Sequence, residues 1–154
     1  MTCNYNAEDK NVMKVSAQAK NKSRLQELID FAKISGFKKI GVANCKGVQE
    51  LADRFIALLR EQGLEVVSVN CKESGLDGCE ICDEMKGPCC DPISQAVFLN
   101  GQGTDFNVNF GLCLGHGLLF QKYSKVPVTT FLVKDFAHNH NVCLLYTSPS
   151  PRDA

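Results

Sequence analysis

The sequence lacks any surplus of charge: seventeen Lys and Arg residues balance seventeen Asp and Glu residues over 154 positions. A balanced chain has no electrostatic footing for nucleic acid or an anionic membrane surface. It also lacks any apolar run approaching the ~20 residues of a membrane span. Its first stretch, Met1 to Ala19, is polar and has no signal-peptide core. The expectation is a soluble, cytoplasmic protein with neither nucleic acid nor membrane as partner, and with protein partners unknown. No G-x-G-x-x-G follows a predicted strand, and neither a Walker loop nor a Gly-x-Ser-x-Gly elbow occurs. Nucleotide binding and serine hydrolysis therefore have no motif behind them.

Cysteine is what the chain does have. Its nine cysteines are an odd number, and their share falls below the roughly 8–10% of a disulfide scaffold. In a reducing compartment such thiols act as ligands or redox groups more often than as structural bridges.

The pattern along the chain sets where they fall. Residues 1–21 show no periodicity and are expected to form a flexible leader. A single domain is expected over 22–143. Ser23 suits a helix N-cap, and Leu25, Leu28, Ile29 and Ala32 follow helical spacing up to Gly36. A strand is predicted at 38–44 and an amphipathic helix from Gly47 to Gln62. A second strand at 64–70 is apolar enough for a buried parallel strand. Residues 72–91 form a turn-rich, cysteine-rich loop. Asp91-Pro92 then starts a helix, with Ile93, Ala96 and Val97 as its buried face. A third strand running to Leu112, a helix over about 116–124 and a fourth strand at 127–133 complete the pattern. This order predicts a small doubly wound, Rossmann- or flavodoxin-like α/β domain. It has about four parallel strands in a three-layer α/β/α stack, in the order 2-1-3-4. Residues 144–154 read as a non-native tail outside the fold.

Three cysteines directly follow predicted strands: Cys45, Cys71 and Cys113. A fourth, Cys90, stands just before the Asp91-Pro92 helix start. Strand carboxyl ends and helix amino ends share one edge of a parallel sheet, so the four should meet there. Cys45, Cys90 and Cys113 each precede a helix, whose free N–H groups favour thiolate; Cys71 lacks that help. Four thiolates can close a zinc site or hold an iron–sulfur cluster, and zinc is the default where no redox demand is visible. His116, three residues after Cys113, is a spare ligand or thiolate partner, with a helix-capping histidine as the plainer alternative. Gly111, Gly115 and Gly117 would let backbone approach a ligand closely. His138 and His140 follow the fourth strand with Asp135, where a solvated loop is the simpler expectation. A second, local site could use Cys79, Cys82 and Cys89, C-x-x-C being half of a common zinc motif. The rivals are a thiol-dependent redox enzyme or transferase with a cysteine nucleophile, and cysteines that merely pack. Whether the protein is an enzyme is not legible. Cys3 and Cys143 have no legible partner.

Five blocks carry a resemblance: Lys38–Cys45, Val66–Lys72, Cys90–Ala96, Gly111–His116 and Val126–Thr130. Together they resemble the uncharacterised, predicted metal-binding family DUF1847 across about residues 24–140. The resemblance implies the α/β fold and an edge site of Cys45, Cys71, Cys90 and Cys113, with His116 and the pair His138-Asn139. The family's metal-binding label rests largely on an N-terminal cysteine cluster, where this chain has only Cys3. Asp91 and Gly117 stand where family members tend to carry Asn and Asp, and Cys79-x-x-Cys82 is not a family feature.

Overall fold

β-branched and apolar residues in short runs between helical segments give a sheet with its strands buried between helices. The computed structural model describes residues 3–140. Cys143 and the 144–154 tail lie outside the described residues. The elements run α1 (Ala7–Ala19), α2 (Arg24–Ser35), β1 (Lys39–Asn44), α3 (Gln49–Glu61), β2 (Glu65–Asn70), α4 (Pro92–Asn100), β3 (Phe106–Phe110), α5 (Leu114–Tyr123) and β4 (Val128–Leu132). The four strands are parallel in the order β2-β1-β3-β4, the predicted order of a doubly wound α/β sheet.

Alternation along the strands assigns the two faces. Phe106, Val108 and Phe110 of β3 turn towards α2 and α3, where Phe55 of α3 lies 5.0 Å from the Phe110 ring and 4.4 Å from Phe131. Asn107, between them, faces the other way and donates to Ser124 at the end of α5. The buried core runs on both faces, from Ile29, Phe55 and Leu59 to Ala96, Leu99 and Phe120.

Several expectations change. The leader is helical over most of its length: Asn6 caps α1 by accepting from the Asp9 N–H, and Val15 and Ala19 are buried. Two apolar residues at i and i+4 suffice to dock α1 on α2, too thin a stripe to stand out as periodicity. The second strand is not buried throughout. It is an edge strand with only Val66 and Val69 buried, and Arg60 donates to the Val66 carbonyl at 2.9 Å. The inner face of α4 is Pro92, Gln95, Ala96 and Leu99, whereas Ile93 and Val97 are exposed. Asp91 does cap α4, accepting from the Ser94 N–H, and Gly36 ends α2 in the left-handed region. The third strand stops at Phe110 and the last helix starts at Leu114, which leaves Gly111 to Cys113 as a tight turn at the carboxyl edge.

Candidate thiolate site

The carboxyl edge gathers the four cysteines expected there and one residue that was not. Cys45 follows β1 directly and caps a short 3-10 turn, Lys46–Val48; its Sγ accepts from the Gly47 N–H at 3.3 Å. Cys71 follows β2 in the same register, since Asn44 pairs with Asn70 and the Cys71 N–H continues the ladder to the Asn44 carbonyl at 3.0 Å. The two thiols are therefore neighbours on adjacent strands. Cys71 does not lack backbone help as expected: the Lys46 N–H, from the turn after the neighbouring strand, donates to its Sγ at 3.3 Å.

Cys90 arrives from the loop. Loop residues pair among themselves through Gly78 N–H to Gly87 O, Asp77 against Pro88, and Cys89 N–H to Leu76 O. Its end is tied back by the Asp91 N–H donating to the Cys71 carbonyl at 2.7 Å. That tie brings Cys90, one residue before Asp91, beside Cys71.

Lys134, two residues beyond β4, is the unexpected member. Its Nζ donates to Cys45 Sγ at 3.1 Å and to Cys113 Sγ at 2.9 Å. Gly111 makes this approach feasible. Its φ is +71°, and a Cβ there would lie 2.8 Å from Val48 Cγ2, 3.3 Å from Leu132 Cδ2 and 3.7 Å from Lys134 Cβ. Gly111 thus serves a protein contact, as does Gly117 of α5, where a Cβ would meet Asn109 Nδ2 at 2.8 Å, while a Cβ on Gly115 would meet nothing within 4 Å. A signal for Lys134 existed in the sequence, because the rule that gathers strand-end cysteines gathers a strand-end lysine too.

The electrostatics split the quartet. Burial pushes the Cys45 thiol up, yet the Lys134 ammonium, the Gly47 N–H and Cys71 together bring it below its ordinary value. Cys90 goes the other way, to about 12, through burial first and then the neighbouring Cys71 and Cys45. The expectation that a helix start would favour Cys90 thiolate is thus reversed: Asp91, not Cys90, occupies the cap, and Cys90 meets sulfur instead. Cys113 does cap α5 but draws no side-chain hydrogen bond from it; its partner is Lys134. His116 is half-buried, and burial followed by the Lys134 charge holds its ring below the usual imidazole value. Asp135 binds the His138 ring at 3.0 Å, and the Asp135 N–H donates to the His140 ring at 2.9 Å. Those two histidines therefore close a loop of their own.

Cys79 is exposed, with Cys82 and Cys89 half-buried. Asp77 accepts from the Cys79 N–H at 3.0 Å, and its hydrogen bond to the thiol pushes Cys79 up. Cys89 donates to the carbonyl of its neighbour Cys90 at 3.4 Å. Among the described residues, no three His, Cys, Asp or Glu side chains already stand around a common ion position, at the edge or in the loop. No described helix is long and apolar enough to cross a membrane. In donor chemistry the edge still suits a soft cation, with four sulfurs and the donors that stabilise thiolate.

Residues 2–131 match the family described as protein of unknown function DUF1847, and the chain belongs to it. It is 46% identical over 132 residues to an uncharacterised protein of Methanocaldococcus jannaschii, covering 82% of this chain and 68% of that one. Neither description names a ligand or a reaction.

Proposed function

We propose that this DUF1847 member binds a transition-metal ion, zinc in the first instance, through the edge thiolates of Cys45, Cys71, Cys90 and Cys113. One observation carries the reading: Cys45 and Cys71 follow paired residues of neighbouring strands, the Asp91 N–H ties the Cys90 segment to the Cys71 carbonyl, and an ammonium joins Cys45 to Cys113. Burial first, and then the neighbouring Cys71 and Cys45, hold Cys90 as a thiol, and a divalent cation would remove the repulsion among them. Lys134 is the positive charge that serves the edge when no ion is bound. The side chains stand as a hydrogen-bonded row rather than a closed shell, so loading requires Lys134 to swing aside and the thiols to turn inward. His116, beside Lys134, is the reserve donor. Thiolates select zinc, copper(I) or iron–sulfur clusters over hard ions, and reduced thiols suit a cytoplasmic setting.

Metal analysis of anaerobically purified protein tests this. The expected result is about one zinc per chain with no visible absorption, lost in Cys71→Ser together with thermal stability. Bound iron with visible absorption would keep the thiolate site and replace zinc. Metal-free protein whose thiols all titrate freely would overturn the reading.

A further inference from the structure

The register of β1 and β2 places two thiols where a covalent bond can join them. Adjacent strands run about 4.8 Å apart, within the roughly 4.4–6.8 Å between Cα atoms that a disulfide spans. Cys45 and Cys71 follow the paired Asn44 and Asn70, and the parallel pleat turns both side chains to one face. The two differ in surroundings. Cys45 Sγ receives the Lys134 ammonium at 3.1 Å and the Gly47 N–H at 3.3 Å, and is 7% exposed. Cys71 Sγ receives one backbone donor, the Lys46 N–H at 3.3 Å, and the residue is 1% exposed. Cys45 thus carries the ammonium and is the less covered of the two, which makes it the sulfur a very small reagent would meet first. The other is its buried neighbour. Packing alone does not require an ammonium on the first.

From this juxtaposition we propose a second activity: Cys45 and Cys71 form a dithiol that reduces a small hydroperoxide when no ion covers the edge. Cys45 thiolate attacks the distal oxygen of hydrogen peroxide and the O–O bond breaks. Cys45 becomes the sulfenic acid, and the departing hydroxide takes a proton from the Lys134 ammonium and leaves as water. The Cys71 sulfur then attacks the Cys45 sulfur. The S–O bond breaks, the hydroxyl leaves with the Cys71 proton as a second water, and the Cys45–Cys71 disulfide forms. Two electrons pass from the thiol pair to the peroxide, and a dithiol reductant restores the pair by exchange. The Asp91 N–H to Cys71 carbonyl tie brings Cys90 beside Cys71, so it is the internal competitor for the disulfide.

The test uses reduced, chelator-treated full-length protein with one equivalent of hydrogen peroxide, followed by acid quench and peptide mapping. The expected result is two thiols lost per peroxide consumed, one linked Cys45–Cys71 peptide, and full recovery with dithiothreitol. Cys71→Ser should stop at a sulfenic acid on Cys45 that a cyclic 1,3-dione traps. Lys134→Met should slow the first step at least roughly tenfold, because the departing hydroxide loses its proton donor, and leave the linked pair unchanged. Wild-type mapping decides the matter should the serine variant not fold. A Cys71–Cys90 disulfide, oxidation confined to Cys79, Cys82 or Cys89, or a Cys45 rate no faster than free cysteine would each overturn the proposal. Because the assay runs on metal-free protein, its failure leaves the zinc reading intact, and the failure of that reading leaves this result standing.

Discussion

The edge cysteines and the loop cysteines are the same residue in opposite situations. Cys45 and Cys71 are buried at the ends of neighbouring parallel strands, fixed by the ladder and served by donors from two separate chain segments, the turn after β1 and the residues after β4. Cys79, Cys82 and Cys89 belong to the stretch Leu76 to Cys89, whose hydrogen bonds stay within the loop, and Cys79 answers to its own neighbour Asp77. A C-x-x-C spacing looks the stronger motif in sequence, yet it orders nothing beyond a local turn here. Single cysteines scattered over seventy residues converge because the sheet has one carboxyl edge. Position in the fold, more than spacing along the chain, decides which thiols can act together.

The largest expected effect separates the two regions by a glycine in each. Gly111 at the edge and Gly87 in the loop both have positive φ, +71° and +80°. A Cβ on Gly87 meets nothing within 4 Å, whereas one on Gly111 meets Val48, Leu132 and Lys134. Gly111→Ala should therefore cost about 2–4 kcal/mol, backbone strain plus overpacking, and should also push Lys134 off its thiols. Gly87→Ala should cost only the strain, about 1–2 kcal/mol. Urea denaturation of both variants checks the gap. Equal costs would mean that the turn below the thiols is not the tight seat described.

A smaller effect lies in the pH profile of the metal-free protein. Cys90 has a folded value of about 12 against an ordinary 9.0. Its folded state holds the proton more tightly, so the stability it lends is full below pH 9.0 and is lost as pH climbs towards about 12. Cys90→Ala should flatten that alkaline loss, read from denaturation midpoints on either side of pH 9.0.

The sequence made the sheet legible because each strand is a short apolar run and each helix has a stop or a cap, such as Ser23, Gly36 and Asp91. Right-handed crossovers fix the hand of the sheet, and the order 2-1-3-4 was a choice among those they allow. The convergence of Cys45, Cys71, Cys90 and Cys113 on one edge followed from that topology. What escaped was everything that depends on partners remote in sequence. Helix α1 rests on Val15 and Ala19 meeting α2. Support for Cys71 comes from the backbone of Lys46, twenty-five residues earlier. Cys90 is turned from thiolate to thiol by burial and by neighbours that only the folded loop supplies. Lys134 was visible at a strand end but carried no motif to single it out.

The smallest effect asks whether loop and edge are independent. Asp77 holds the loop's turn in a reciprocal cap: its carboxylate accepts from the Cys79 N–H, and the Glu80 side chain accepts from the Asp77 N–H. The same carboxylate, by its hydrogen bond to the thiol, keeps Cys79 above its ordinary value and its thiolate fraction low. Asp77→Asn keeps an oxygen acceptor for the cap and removes the charge. Cys79 should then alkylate faster, roughly severalfold at neutral pH, because more of it is thiolate. The thermal midpoint should barely move, since the cap survives and the side chain is at the surface. Cys45 and Cys71 should keep their own rates, because their donors are Lys134, Gly47 and Lys46, none of which belongs to the loop. The route by which the loop reaches them is the Asp91 N–H to Cys71 carbonyl tie, which places Cys90. If the edge thiols accelerate along with Cys79, that tie transmits the loop's state, and the two regions form one site.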